Sequence, residues 1–407
     1  MNPLCLDGIR VLDFTRVLAG PFCTALLADL GAEIIKIEAP EGDDYRHIPP
    51  ISAGAGGLFL LLNRNKKSVA LDLRSSAGRD IARDLAGKCD IIVENFRPGV
   101  MDRLGLGYEE LSRGNPRLIQ VSISGFGQDS PIRGLPAYDL VVQALTGFMD
   151  LTGEPDGPPM MTGEAVADLT TGLFASWSAL AALLARERSG QGQFIDVAMY
   201  DCLSSFLPGA FAQHLYGATA PTRVGNRHPL GAPFGVFAAA DGHYTIAVLN
   251  PKQFARLAQA IGHPGLGDDP RFCDNSRRTD NHAALKVLIE EWSGSRGVAE
   301  VVAALQGSDV PCSPILSVRE AMSSEQAMAR GVLREAVAAD GRRVTTMAQP
   351  VRFSAMSAPV PSAPPALGAD GRAVLADVLG MDVAAIEALT QDGVLHCAAE
   401  NGEKCHA

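Results

Sequence analysis

The chain has no GxGxxG turn after its first strand-like segment, no GxxxxGK[ST] loop, no GxSxG elbow and no HExxH helix. The first absence matters because a dinucleotide pyrophosphate needs glycines for close backbone approach, and the turn here is residues 15–20 (TRVLAG). The others exclude a P-loop nucleotide enzyme, an elbow-type serine hydrolase and a zinc peptidase. CxxC is missing too. Eight cysteines scattered over 407 residues read as free thiols. His396, Cys397, Cys405 and His406 gather in the tail, where a frayed C-terminus is expected rather than a metal site. The most apolar runs, residues 58–62 and 174–185, fall short of the ~20 residues of a membrane span, so no membrane partner is expected. Residues 1–8 (MNPLCLDG) do not read as a secretory signal, which makes the cytoplasm the expected location. Net positive charge is also lacking. At -11, the chain is a poor nucleic-acid binder, and an anionic ligand would need a local basic pocket.

What is present is ordinary globular composition, 47% apolar and 20% charged, in a chain too long for one simple core. Residues 10–14 (RVLDF), 33–38 (EIIKIE), 68–73 (SVALDL), 90–95 (DIIVEN), 118–124 (LIQVSIS) and 193–199 (QFIDVAM) read as strands. Helical spacing marks residues 21–30, 76–86, 164–187 and 201–217. Such alternation predicts a parallel sheet covered by helices, a Rossmann-like α/β fold. Beyond a Pro-, Gly- and Arg-rich stretch at 218–233, a hairpin (235–239 and 243–248) and helices at 251–261, 281–293 and 298–306 predict a smaller α+β domain. The expected organisation is a large domain of residues 1–217 plus 331–407 and a small domain of 218–330. A β-like stretch from 332 and a Pro-rich linker at 357–365 lead into two closing helices, 372–379 and 383–390.

Five segments in order resemble the class III coenzyme A transferases, a family that includes formyl-CoA and carnitine CoA-transferases and α-methylacyl-CoA racemase. They are residues 6–38 (LDGIRVLDFTRVLAGPFCTALLADLGAEIIKIE), 63–73 (NRNKKSVALDL), 90–111 (DIIVENFRPGVMDRLGLGYEEL), 123–139 (ISGFGQDSPIRGLPAYD) and 163–201, which contains VADLTTGL. The resemblance implies an interlaced homodimer and acyl-CoA as a substrate, with no prosthetic group. It places the catalytic carboxylate at Asp168, which attacks the donor thioester and carries CoA through an aspartyl anhydride and an aspartyl-CoA thioester. Read from the residues alone, Asp168 is an acid in the first turn of a helix, where the dipole favours its charged form and small-residue backbone amides are candidates for an oxyanion site.

The resemblance further implies that Val17, Ala19, Leu71, Arg74, Asn95, Phe96, Arg103 and Tyr138 line CoA, with Arg64–Lys67 as a candidate basic supplement. Racemases of the family carry a histidine where this chain has Tyr138. Racemisation needs an acid/base group on each face of the α-carbon, and a phenol with a reference pKa of about 10 serves poorly. Transfer is therefore the expected reaction, with racemisation or epimerisation and non-catalytic CoA binding as the alternatives. The formyl-CoA branch has a glutamine at Leu18, a basic residue at Ala39 and a glycine run that residues 225–233 (GNRHPLGAP) replace. These departures argue against formyl-CoA and oxalate chemistry. Arg16, Arg46, Arg223 and His228 are the candidates to receive the remote carboxylate of an acid such as succinate, glutarate or itaconate.

Overall fold

In the first unit, apolar residues at adjacent strand positions point to opposite faces, and both faces are buried, as a parallel sheet requires. The strands in chain order are β1 (Arg10–Asp13), β2 (Glu33–Glu38), β3 (Lys66–Leu71), β4 (Ile91–Glu94), β5 (Ile119–Ser124) and β6 (Phe194–Ala198). The two-residue strand Leu395–His396 completes a sheet of order 395–396, β3, β2, β1, β4, β5, β6. All neighbours are parallel except the 395–396 edge, which runs antiparallel to β3. On one face Leu12, Ile35 and Ile92 pack with Ile81 and Leu85 of helix Ser76–Ala86 and with Val374 and Leu375 near the C-terminus. On the other, Val11, Ile34, Ile91 and Val93 meet Cys23 and Leu27 of α1 (Ala19–Ala28). The computed structural model describes residues 4–217, 220–338, 341–356 and 361–397.

Two further helices matter for function, α2 (Asp139–Leu145) and α3 (Val166–Ser189). By length and composition alone α3 is apolar enough to cross a membrane, contrary to the sequence reading. Here its Ala175, Ala179, Ala182 and Leu183 lie in the core with residues of β1, β4 and β5. It ends where Gly190 takes a left-handed φ of 74°, the common glycine stop.

The chain divides into two compact units: Met1–Phe148, Gly163–Pro208 and Glu325–Ala407 in one, Met149–Thr162 and Gly209–Ser324 in the other. This differs from the boundaries drawn on composition, because residues 149–162 and 209–217 join the second unit and 325–330 the first. Long-range bonds that composition does not reveal account for part of the shift: the Arg223 guanidinium pairs with Asp150 at 2.7 Å, and Gly225 N donates to Gly153 O at 3.1 Å. The second unit has an antiparallel sheet of Phe234–Ala239, Gly242–Ala247 and Cys312–Pro314. Its core joins Tyr244, Ile246 and Phe237 to Phe254, Ile289 and Val301.

One close approach locks α1 to α3. A Cβ added at Gly172 would lie 2.5 Å from Ala19 O. Alanine normally gains about 1 kcal/mol over glycine inside a helix. Gly172→Ala is nonetheless expected to lose about 1–3 kcal/mol, as overpacked cores do. Thermal unfolding against wild type checks this, and a raised Tm would refute the steric reading.

Candidate active site

The strand order reverses beside β1: β2 follows on one side, while β4 lies on the other. Open α/β sheets place ligands in the crevice at such a switch point, outside the carboxyl ends of the strands. Here the loops after β1 and β4 meet through one side chain. Arg16 N donates to Asn95 Oδ1 at 3.0 Å, and Asn95 Nδ2 donates to Arg16 O at 2.7 Å. Val17 takes a φ of 69°, unusual for a β-branched residue. Its N–H is held by Asp43 Oδ1 at 3.2 Å, and Asp43 is itself held by the buried Lys36 ammonium at 2.9 Å.

A cleft of about 430 Å³ opens over these loops, lined by Arg16, Val17, Ala19, Asn95, Phe96, Tyr138 and Asp168 among others. A second cavity of about 230 Å³ shares Arg16 and Phe96 with it and adds Leu71 and Arg74. The switch point thus brings together seven of the eight residues proposed to line CoA. Arg103 is the exception: it is exposed and borders neither cavity. Arg74 is also exposed, and its Nε donates to Asp72 at 2.8 Å.

Asp168 sits half-buried in the first turn of α3. The amides of that turn are already taken. Asp139, the first residue of α2, accepts Ala167 N at 2.7 Å and Asp168 N at 3.4 Å on Oδ1, while its Oδ2 accepts from Gln143 Nε2 at 2.5 Å. This corrects two expectations. The Ala167 and Asp168 amides bond Asp139 and are not free for an oxyanion, and the helix end does not keep Asp168 readily ionised. Burial first, and the Asp139 charge second, push Asp168 up to about 7.

Several basic candidates are engaged elsewhere. Arg46 is buried and grips Glu38 with two bonds of 2.7 and 2.6 Å, and it stacks over Phe59. Arg64 pairs with Asp29, Lys66 with Asp13, and Lys67 with Glu33, so the 64–67 cluster is structural. Arg223 and His228 belong to the second unit. Arg223 holds Asp150, and His228 stacks on Phe234 while its Nδ1 accepts Leu230 N. Of the four candidates for a remote carboxylate, only Arg16 lines the cleft, and its guanidinium lies 3.5 Å from Asp44. In the tail, His396 bonds Gly393 O and Cys397 lies near Thr390. Cys405 and His406 fall outside the described residues.

Two cleft groups, and one tyrosine near Asp168, escaped the sequence reading. Arg97 and Arg133 line the cleft with Arg16. Arg97 stands within the quoted ENFRPG run, a position that could have marked it. Tyr45 has no such signal. Burial, then the nearby charges of Asp168, Asp43 and Asp139, hold its phenol above the usual value.

These features define a doubly wound α/β protein with a half-buried carboxylate in the cleft at its switch point. The chain belongs to CoA-transferase family III, whose family model matches residues 6–371. It is 45% identical over 329 residues to an acetyl-CoA:oxalate CoA-transferase of Acetobacter aceti, covering 80% of this chain and 85% of that one. Over 397 residues it is 37% identical to a succinyl-CoA:glutarate CoA-transferase of Mus musculus, covering 97% and 91%. A CAIB/BAIF family protein from Brucella suis has a similar structure, with a TM-score of 0.83, 38% identity, and coverage of 93% and 100%. The protein is a class III CoA-transferase.

Chemistry that uses the Asp168 carboxylate must fade in acid. In the free protein kcat/KM is expected to rise with pH through about 7 as Asp168 loses its proton. Asp139→Asn keeps an oxygen for the Ala167 amide but removes a negative charge, so the midpoint should fall. A pH profile of both proteins measures it, and an unmoved midpoint would show that Asp139 does not tune Asp168.

Proposed function

We propose that this transferase moves CoA from an acyl-CoA, succinyl-CoA in the first instance, to a free dicarboxylic acid by way of Asp168. The observation that bears most weight is the placement of Asp168 in the cleft with its helix amides already taken. A carboxylate deprived of hydrogen-bond donors is less stabilised and so a better nucleophile. Asp168 attacks the thioester carbonyl, the C–S bond breaks, and CoA leaves as thiolate from a mixed anhydride. The thiolate attacks the aspartyl carbonyl, releasing the donor carboxylate and leaving aspartyl-CoA. The acceptor carboxylate attacks that thioester, forming a second anhydride and freeing the thiolate. The thiolate then takes the acceptor acyl group, and Asp168 returns as carboxylate. Cleft walls that hold the acid and thiolate together supply most of the rate, since effective molarities reach ~10⁵ M or more.

The preference for a dicarboxylate rests on two supports. Relatives are named for glutarate and oxalate, and the cleft presents Arg16, Arg97 and Arg133 against one catalytic carboxylate. Oxalate therefore remains an acceptor to test, despite the departures at Leu18 and Ala39. Tyr138, 68% exposed on the cleft wall, stands where racemases of the family carry a histidine, which favours transfer over racemisation.

We also propose a homodimer. Leu173, Trp177 and Leu184 stand exposed along α3, with Leu140, Val141 and Leu145 exposed on α2 of the same unit. A patch of large apolar side chains marks a partner surface.

Succinyl-CoA mixed with glutarate, oxalate or butyrate, followed by mass spectrometry of new thioesters, tests the reaction. Glutaryl-CoA or oxalyl-CoA is expected. Asp168→Ala should lose about 10³-fold or more in turnover, and the wild-type protein quenched in turnover should bear CoA on the Asp168 peptide. Arg133→Gln should raise KM for the dicarboxylate about tenfold while sparing butyrate. Transfer to butyrate alone, or α-deuterium exchange without any acceptor, would overturn the reading. Separately, Trp177→Glu should shift the sedimentation coefficient from dimer towards monomer, and a wild-type monomer would dispose of the dimer.

A further inference from the structure

Glu94, the last residue of β4, is only 4% exposed and forms no ion pair among the described residues. Its Oε2 accepts Phe96 N at 2.8 Å, and its Oε1 accepts Ser122 Oγ on β5. Gln128 Nε2 donates to the same Oγ at 2.8 Å, and Gln128 N donates to Asp196 Oδ2 on β6 at 2.8 Å. One run of hydrogen bonds thus crosses the carboxyl ends of three neighbouring strands.

Each link underlies a wall of the cleft. Asn95 and Phe96 follow Glu94 directly, and Asn95 grips Arg16 across the switch point. Ser124 and Gly125 follow Ser122 by two and three residues and line the facing wall. Gly125 packs so tightly on Ala137 that an added Cβ would lie 2.2 Å from the Ala137 Cβ, one residue before Tyr138. A buried carboxyl without a cation is costly, and such a group persists where it holds something in place.

We propose that Glu94 is a positioning residue for acyl-CoA, bracing the 95–98 loop against the 124–128 turn so that the cleft keeps the width the pantetheine arm and thioester require. This rests on the reading that the cleft with Asp168 is the CoA site. Glu94 touches no reacting atom; it acts through Phe96, Asn95 and Gly125. Burial first, with the charges of Asp102 and Asp196, pushes its carboxyl up to about 7 against the bonds from Ser122 and Phe96; when protonated it keeps one oxygen for Phe96 N and turns an O–H to Ser122 Oγ, a hydroxyl that can accept as well as donate. A glutamine amide likewise has one acceptor and one donor edge, which makes the conservative variant informative.

Calorimetric titration of CoA, steady-state kinetics and thermal melts of four variants test the proposal. Glu94→Ala should weaken CoA binding about tenfold, the loss expected when a buried hydrogen-bonded acid is deleted, with kcat at saturation within about twofold of wild type. Glu94→Gln should restore binding to within about threefold. Gln128→Ala, a smaller lesion further along the brace, should weaken CoA in the same direction and stands in if Glu94→Ala does not fold. Phe96→Ala removes a side chain that lines the cleft itself and must also weaken CoA. If it does not, the cleft is not the CoA site. If Phe96→Ala weakens CoA while Glu94→Ala and Gln128→Ala bind it as wild type does, the brace is refuted and the site stands. A fall in kcat with unchanged CoA affinity would also refute it.

Discussion

The amides at the start of α3 can be satisfied only once, and Asp139 satisfies them. That single hydrogen-bond allocation sets the character of the site. A helix N-terminus left open would stabilise the charge on Asp168 and hold its pKa down. With Ala167 N and Asp168 N bound to Asp139 Oδ1, the dipole is already answered by another carboxylate, and that carboxylate also repels charge on Asp168. Gln143, one turn along α2, holds the other Asp139 oxygen, so the cap is fixed at both ends.

A second constraint lies beneath the first. The loop at Val17 takes a backbone conformation that valine resists, and buried charge holds it there. Lys36 reaches Thr15 O at 2.6 Å and Asp43 at 2.9 Å, Asp43 takes the Val17 amide, and Glu38 joins Asp43 N to Arg46 and Ser68. Buried ion pairs add little net stability, but losing one partner strands the other. Their value here is geometric: they hold a polar loop rigid over the ends of the strands, beside the cleft that contains Asp168. This is also why basic residues read as ligands in one dimension, Arg46 for a remote carboxylate and Arg64 and Lys66 for CoA, proved to be internal. Arg46, Arg64 and Lys66 each face a buried carboxylate.

Most of the sheet could be read in advance because its strands are short apolar runs bounded by turns, and a parallel sheet buried on both faces leaves that mark. The strand at residues 33–38 and the helix at 76–86 fell where the pattern put them. Leu395–His396 was missed because two residues show no period, and their place is set by pairing with Leu71 and Ala70 over three hundred residues away. Residues 149–162 joined the second unit for a similar reason, through bonds to Arg223 and Gly225 that leave no local trace.

Alone, the amino-acid order determined the chemistry available: an α/β fold, an acid in VADLTTGL, a tyrosine before Asp139, and polar loops after β1 and β4. These are local properties, carried by side-chain type and by the periods of helix and strand. Tertiary structure decided which charges were free. Arg97 and Arg133 reach the cleft while Arg46 does not, and the α3 amides serve Asp139 instead of substrate. The reason is physical: whether a charged group is a ligand or a strut depends on which opposite charge lies within about 4 Å of it, and that distance exists only after the chain has closed on itself.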